Sequence, residues 1–407
     1  MKCRHCDAAL DLQFVDLGSA PPSNAYLTNS ALQKPESWLP LRVLTCTRCW
    51  LVQTEDYAGA AQIFTDDYAY FSSYSRIWLD HAETYVAAMV DRFRLGPQSR
   101  VIELASNDGY LLQYVAARGI PCLGVEPTAS TAASARAKGL EVVQEFFGVT
   151  LAKRLVGEQK SADLVVANNV LAHVPDINDF LSGISLLLRD EGVATFEFPH
   201  LLNLVKYNQF DTIYHEHYSY LSLTAIVQIF ARNGLSVFDV DQLSTHGGSL
   251  RVYASNSQRP RPSSTAVNDV LESERSAGLD KPEFYAGFQW RVDRAKNDFL
   301  NFLLQAKESG KQVAGYGAAA KGNTLLNYAG VRRDLIAYVV DRNPAKQGKF
   351  LPGSRIPIVS EERIQRERPE YVVILPWNIS SEVTHDLDYI RGWDGKFVTA
   401  IPEMRIQ

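Results

Sequence analysis

Arg100-Val-Ile-Glu-Leu-Ala-Ser-Asn-Asp-Gly-Tyr-Leu-Leu112 runs from an apolar strand, through a turn of small and polar residues, into the start of a helix. Such a turn lets a ligand approach the backbone at the carboxyl end of a first strand, where open α/β sheets bind their ligands. The G-x-G-x-x-G spacing is missing, so a dinucleotide pyrophosphate would be poorly accommodated. Glu126 closes the following strand, 19 residues after Asn107. A carboxylate there can accept hydrogen bonds from both hydroxyls of a ribose. Together these residues point to an adenosine-bearing cofactor, S-adenosylmethionine, held by Glu103, Ala105, Asn107, Gly109 and Glu126. Gln144-Glu-Phe-Phe147 ends the third strand, where a polar residue and Phe147 would frame the adenine. Asn168 and Asn169, at the end of the fourth, would lie beside the methionyl part. The competing reading is a Rossmann-like domain that binds another nucleotide, or none.

Outward from this turn, strand-like and helix-like pieces alternate. Strands are expected at 100–104, 121–126, 140–143, 162–167 and 192–198, with helical patterns such as 111–117 and 180–188 between them. That alternation implies a parallel sheet covered by helices on both faces, an α/β fold. Residues 235–240 and 249–254 read as two strands with no helix between them, hence an antiparallel pair at the sheet edge. The polar stretch 255–282 reads as a linker leading into a charged helix, followed by long helical periodicity over 283–307. The α/β pattern then restarts at 313–317, 335–341, 371–375 and 396–401. The expected organisation is a small module over 1–56, a connector over 57–77, a Rossmann-like domain over 78–254, a linker over 255–282 and a second Rossmann-like domain over 283–407. The first 56 residues show no long periodic element.

Cys3-x-x-Cys6 and Cys46-x-x-Cys49 place four of the five cysteines in two knuckles. Thiolates two residues apart can face one tetrahedral ion, and two such pairs close a four-sulfur shell around a structural zinc. The 39 residues between the knuckles exceed the usual finger spacing, which argues against a DNA-binding finger. A pair of redox motifs is the alternative, but neither lies at a βα junction. Cys122 falls in an apolar strand and reads as an inert core thiol.

Tyr214-His-Glu-His-Tyr-Ser-Tyr220 follows the fifth strand. His215 and His217 have no further ligand at helical spacing, which argues against a metal site. A neutral imidazole is the commonest proton acceptor near pH 7, so the cluster suits general acid–base chemistry. A satisfied polar network joining two domains is the bland alternative. Gly315-Tyr-Gly-Ala-Ala-Ala-Lys-Gly-Asn-Thr324 is again strand, turn and helix start, where exposed N–H groups favour a phosphate and Lys321 adds a full charge. Asp341 ends the next strand as Glu126 does in the first domain.

The net charge of −5 lacks the basic field that nucleic-acid binding needs. No run approaches the 18–20 or so apolar residues of a membrane span. Met1-Lys-Cys-Arg-His-Cys6 has no apolar stretch of a secretory signal. A cytoplasmic protein with no membrane partner is the expectation. The oligomeric state is not legible, and a monomer is compatible with the sequence.

Taken together, the Cys pairs, Glu103–Gly109, Ile213-Tyr-His-Glu-His-Tyr218, His246-Gly-Gly-Ser-Leu-Arg251 and Gly315–Asn323 resemble the sugar C-3′-methyltransferases of deoxysugar biosynthesis, of the tetronitrose, mycarose and noviose type. The likeness covers the whole chain in the same order. It implies a zinc module, a class I methyltransferase domain and a C-terminal Rossmann-like domain that holds the substrate's nucleotide. It implies methyl transfer to the carbon beside the ketone of a nucleotide-linked 4-keto-6-deoxy sugar, with thymidine favoured over guanosine as the nucleoside. By resemblance His217 is the base; Glu216, Tyr214, Tyr68 and His173 occupy active-site positions. Lys321, Asn323, Tyr316, His246, Arg251 and Asp341 are the substrate-binding candidates. Packing of the zinc module is the alternative for Tyr68, and helix capping for His173. Closure of the cleft without binding is the alternative for the C-terminal sheet. Transfer to oxygen or nitrogen, or a non-catalytic zinc and nucleotide module, are the competing functions.

Overall fold

The computed structural model of the chain describes residues 1–57, 59 and 71–407, with His246 described by its backbone. Tyr68 lies outside the described residues. The N-terminal module is a sheet rather than the irregular segment its sequence suggests. Strands β1 (Leu12–Ala20), β2 (Leu39–Thr45) and β3 (Val52–Thr54) pair antiparallel in sequence order. Register shifts at Gln13/Val15 and Asp16/Ser19 break the two-residue alternation of β1, and Pro40 stands inside β2. Both features hide a strand from a periodicity reading.

The central sheet contains β4 (Val101–Leu104), β5 (Cys122–Val125), β6 (Val142–Val143), β7 (Ala162–Asn168) and β8 (Leu188–Pro199), with β10 (Leu235–Leu243) and β11 (Ser249–Asn256) at one edge. Its order is β6-β5-β4-β7-β8-β11-β10. Every pairing is parallel except those of β11 with β8 and β10, the expected antiparallel edge. The order reverses between β4 and β7, which opens a crevice at their carboxyl ends. A short strand between β8 and β10, β9 (Ser219–Tyr220), leaves this sheet and pairs with β3 of the N-terminal module. The residues that lead into it are the Tyr214–His217 cluster.

Helix Thr265–Ala277 packs back on the central domain. Its fully buried Glu274 accepts from the Leu223 and Thr224 N–H groups, both at 2.7 Å, and bonds His200 at 2.6 Å. A carboxylate on the first N–H groups of helix Leu223–Arg232 satisfies donors that the helix leaves open.

The C-terminal sheet has the order β14-β13-β12-β15-β16-β17. Its strands are β12 (Val313–Tyr316), β13 (Val339–Val340), β14 (Ile358–Val359), β15 (Tyr371–Ile374), β16 (Lys396–Thr399) and β17 (Arg405–Ile406). It also reverses direction, beside β12. The N-terminal module sits in two cores at once. Cys3, Cys46 and Leu51 pack with Ile102, Phe196 and Leu221 of the central domain. Phe14, Val43 and Val52 pack with Phe210 and Ile213, and with Phe288 and Leu325 of the C-terminal part. Phe14 stacks on Phe288 with ring centroids 4.4 Å apart. Among the described residues no helix is long and apolar enough to cross a membrane.

Candidate active site

A cavity of about 540 Å³ lies between the carboxyl ends of the parallel strands of the central and C-terminal sheets, with walls from all three parts of the chain. The turn after β4 forms one wall. Ala105, Asn107 and Gly109 have φ of 54°, 50° and 77°, a left-handed backbone that costs a non-glycine residue roughly 1–2 kcal/mol. Glu126 holds this turn: one carboxylate oxygen accepts from the Asn107 N–H at 2.9 Å, the other from the Thr128 N–H at 2.9 Å. Ala105, Asn107, Glu126 and Phe147 line the cavity, as do Asn168 and Asn169. Asn168 Oδ1 and Asn169 Nδ2 are buried without a protein hydrogen bond among the described residues. Buried polar atoms of this kind call for a partner, and an acceptor beside a donor fits the amino and carboxylate ends of S-adenosylmethionine. Phe146, in the stretch expected to frame the adenine, also lines the cavity, as does Trp78, whose sequence context gave no sign of it.

The titratable cluster faces the other end. Tyr214, Glu216, His217 and His173 all line the cavity. The His217 ring centroid lies 4.0 Å from that of Tyr214 and 4.6 Å from that of His173. His217 Nδ1 is 2.7 Å from the Thr212 carbonyl oxygen. Since a carbonyl only accepts, the neutral ring carries its proton on Nδ1 and offers the Nε2 lone pair. Burial pushes His173 down to about 4, so it is neutral at pH 7. His215 points away, donating from Nε2 toward the Leu39 and Pro40 carbonyls of β2. Glu216 accepts from Asn24 Nδ2 at 2.6 Å. Tyr26 bonds the same asparagine at 3.2 Å and donates to the Ala318 carbonyl at 2.6 Å.

The C-terminal part contributes Ala319, Ala320, Lys321 and Lys346 to the wall. Lys321 donates to Asn378 Oδ1 at 2.7 Å, and its ammonium stands 4.9 Å from the centroid of the Trp377 ring. Lys346 donates to the Ala318 carbonyl at 2.9 Å and pairs with Asp341 at 3.3 Å. Asn24 and Lys346 were not legible as site residues. One sits in a Pro-rich loop and reads as a turn residue; the other follows β13 in a polar stretch with no motif.

Several expected residues stand outside the cavity wall. Glu103 is fully buried beneath the turn, and burial raises its carboxyl well above the usual range. At Gly109 an added Cβ would come within 2.3 Å of Leu140 Cδ1, so this glycine serves packing. Asp341 accepts from the Ala318 N–H at 2.8 Å, bracing the second turn as Glu126 braces the first. Asn323 donates to the Ser23 carbonyl at 2.6 Å and ties the N-terminal module to the C-terminal part. Tyr316 packs among Val340, Ile374 and Val383. Arg251 pairs with Glu197 at 2.6 Å, and Glu197 also bonds His81 at 2.9 Å. His246 is described only by its backbone, in the short turn between β10 and β11.

The four N-terminal thiols converge, with their sulfurs all within 4.8 Å of one another. Cys3 and Cys49 are 3.6 Å apart, Cys6 and Cys46 3.5 Å. A tetrahedral Zn–S bond of about 2.3 Å implies sulfur separations of roughly 3.8 Å. The donor set therefore fits a closed structural zinc site. Gln53 Nε2 donates to Cys3 Sγ at 3.3 Å, as a thiolate would accept.

The strand order and the left-handed turn after β4 define a class I methyltransferase that uses S-adenosylmethionine. Family models match in three consecutive stretches: "Putative zinc binding domain" over residues 3–64, "Methyltransferase domain" over 78–240 and "C-methyltransferase C-terminal domain" over 244–402. The C-methyltransferase NovU of Streptomyces niveus is 34% identical over 405 residues, which span 100% of this chain and 96% of that protein. The chain belongs to this C-methyltransferase family. Solved structures similar to it in part include magnesium protoporphyrin IX methyltransferase of Synechocystis PCC 6803 with bound SAM, at 18% identity and TM-score 0.33 over 43% of this chain and 78% of that one. The PH0226 protein of Pyrococcus horikoshii OT3 is 14% identical, with TM-score 0.38 over 47% of this chain and 95% of its own.

Proposed function

We propose that the enzyme methylates carbon 3 of a nucleotide-linked 4-keto-6-deoxy sugar, with His217 removing the proton from that carbon. The observation that carries this reading is the Nδ1 bond of His217 to Thr212, which puts the ring's lone pair on Nε2 in a residue that lines the cavity. A hydroxyl or amine would bring its own attacking lone pair. A carbon beside a ketone must first lose a proton, and a base in a dense titratable cluster serves that need.

When bound, S-adenosylmethionine would supply the methyl group, the S–CH3 bond breaking with its electron pair left on sulfur as the neutral thioether. Nε2 of His217 takes the carbon-3 proton, and the electron pair left behind is delocalised as an enolate before it forms the new C–C bond. A hydrogen-bond donor at the ketone oxygen stabilises that enolate. Tyr214 and the neutral His173, whose ring centroids lie 4.0 and 4.6 Å from that of His217 and which line the cavity, are the candidates. Glu216, fixed by Asn24, orders the segment between Tyr214 and His217. Lys321 and Lys346 supply cationic charge for the diphosphate, with thymidine favoured over guanosine as its nucleoside. Tyr68 is proposed to reach the same site.

The test uses isotope exchange and methyl transfer. With thymidine diphosphate 4-keto-6-deoxyglucose in deuterium oxide, the wild-type enzyme is expected to exchange the proton at carbon 3 and to move label from the cofactor methyl group onto carbon. His217→Asn should slow both by about 10²- to 10⁴-fold, the range of a positioned general base. Undiminished exchange in that variant would remove His217 as the base, and label found on oxygen would remove the carbon reaction.

A further inference from the structure

We propose that Trp377, on the C-terminal domain, is a positioning residue for His217: it holds the turn whose Thr212 carbonyl fixes the imidazole tautomer. The proposal rests on the reading of His217 as the base.

The turn is Phe210–Thr212, one short 3₁₀ turn buried throughout. Among the described residues the Thr212 side chain bonds only locally, to the Gln209 carbonyl at 2.7 Å. Its two neighbours are both held from the C-terminal domain. Trp377 Nε1 donates to Asp211 Oδ2 at 2.8 Å. Thr324 Oγ1 donates to the Ile213 carbonyl oxygen at 2.8 Å. The tip of the Trp377 indole also abuts Gly247, where a Cβ would come within 2.4 Å of Cη2. Gln209 Nε2 donates to the Gly247 carbonyl at 2.8 Å, closing the frame on the central domain's side.

Asp211 is an expensive choice for packing alone. It is 1% exposed, and its Oδ1 has no hydrogen-bond partner among the described residues. An apolar residue of similar size would avoid that desolvation. Burial pushes its carboxyl up to about 6, with the nearby Lys321 and the indole N–H acting against the rise. What the carboxylate provides is a directional anchor, on the residue adjacent to the carbonyl that sets the tautomer of His217. The anchor also meets the cavity, because Lys321 lines it and stands over the Trp377 ring.

The test reads the tautomer directly in the full-length protein, with 15N-labelled histidine and no substrate. His217→Asn identifies the His217 signals. The wild-type spectrum is expected to show His217 with its proton on Nδ1 alone. Trp377→Phe leaves an aromatic ring beside Lys321 but removes the N–H and the indole tip that abuts Gly247; it should lose the single-tautomer pattern. Asp211→Ala, which removes the acceptor of the indole N–H, should do the same, and serves alone if Trp377→Phe does not fold. In turnover, Trp377→Phe should lower kcat about tenfold or more, the effect of a small misplacement of a catalytic group, and leave KM within about twofold. His217 signals and kcat unchanged in both variants would overturn the proposal. Failure of the underlying reading looks different: carbon-3 exchange survives in His217→Asn whatever the tautomer does.

Discussion

His173 shows how burial sets a protonation state. Desolvation lowers it from an ordinary value near 6.5 to about 4, so the unfolded chain takes up its proton first as the pH falls. Its contribution to stability is therefore complete above about pH 6.5 and disappears as the pH falls through about 4. A gap of that size corresponds to about 3 kcal/mol. His173→Asn is expected to flatten the acid limb of the stability curve by that order, read as urea midpoints between pH 7 and pH 4. Parallel curves for the two proteins would show that the residue does not titrate differently on folding. At this scale the sequence was partly legible. His217 stands out because imidazole beside phenol and carboxylate is chemically conspicuous. Asn24 and Tyr26 do not, because their contacts with Glu216 and Ala318 join residues about 200 and 300 positions apart.

Among the elements, the turn after β4 was the most legible, since a strand that ends in small and polar residues has few alternatives. What the sequence does not reveal is how closely the turn is fitted to its neighbours. Gly124 in β5 is one such point: an added Cβ would stand 2.4 Å from Ser106 Oγ and 3.1 Å from Ser106 Cβ. Ser106 lies between the two left-handed residues Ala105 and Asn107. Gly124→Ala should therefore displace the turn, weaken S-adenosylmethionine binding about tenfold and cost roughly 1–3 kcal/mol, the usual range for overfilling a packed site. Calorimetric titration with the cofactor, beside thermal unfolding, measures both. A stability loss with unchanged affinity would mean that Ser106 gives way without moving its neighbours. The N-terminal strands were illegible for the opposite reason. Bulges in β1 shift its alternation, and β2 carries a proline, so neither shows the regular period that marks a strand.

Across the whole molecule, the zinc module is wired to the catalytic segment rather than appended to it. Gln53 bonds Cys3 Sγ through its side chain and pairs with Ser219 through its backbone. The next residue, Thr54, donates its N–H to the Tyr218 carbonyl at 3.1 Å and its hydroxyl to the His217 carbonyl at 3.2 Å. Arg4, between the two cysteines of the first knuckle, donates to the Thr54 carbonyl at 2.8 Å. The knuckle cysteines also share a core with Leu221 and Leu223, just beyond β9. A dication bonding all four thiolates would cross-link the two knuckles; without the ion the thiols take up protons and that cross-link is lost. Zinc removal is thus expected to loosen β3, then β9, then the backbone that carries His217. Hydrogen exchange followed by mass spectrometry checks this without reference to activity. Chelation, or Cys49→Ser, should speed exchange at residues 52–54 and 217–220 well before the β4–β5–β7 amides respond. Methyl transfer should decline in step with the loss of protection at 217–220. Faster exchange confined to the knuckles, with β9 unaffected, would mean that β3 holds its register without the metal and that the zinc stabilises only its own loop.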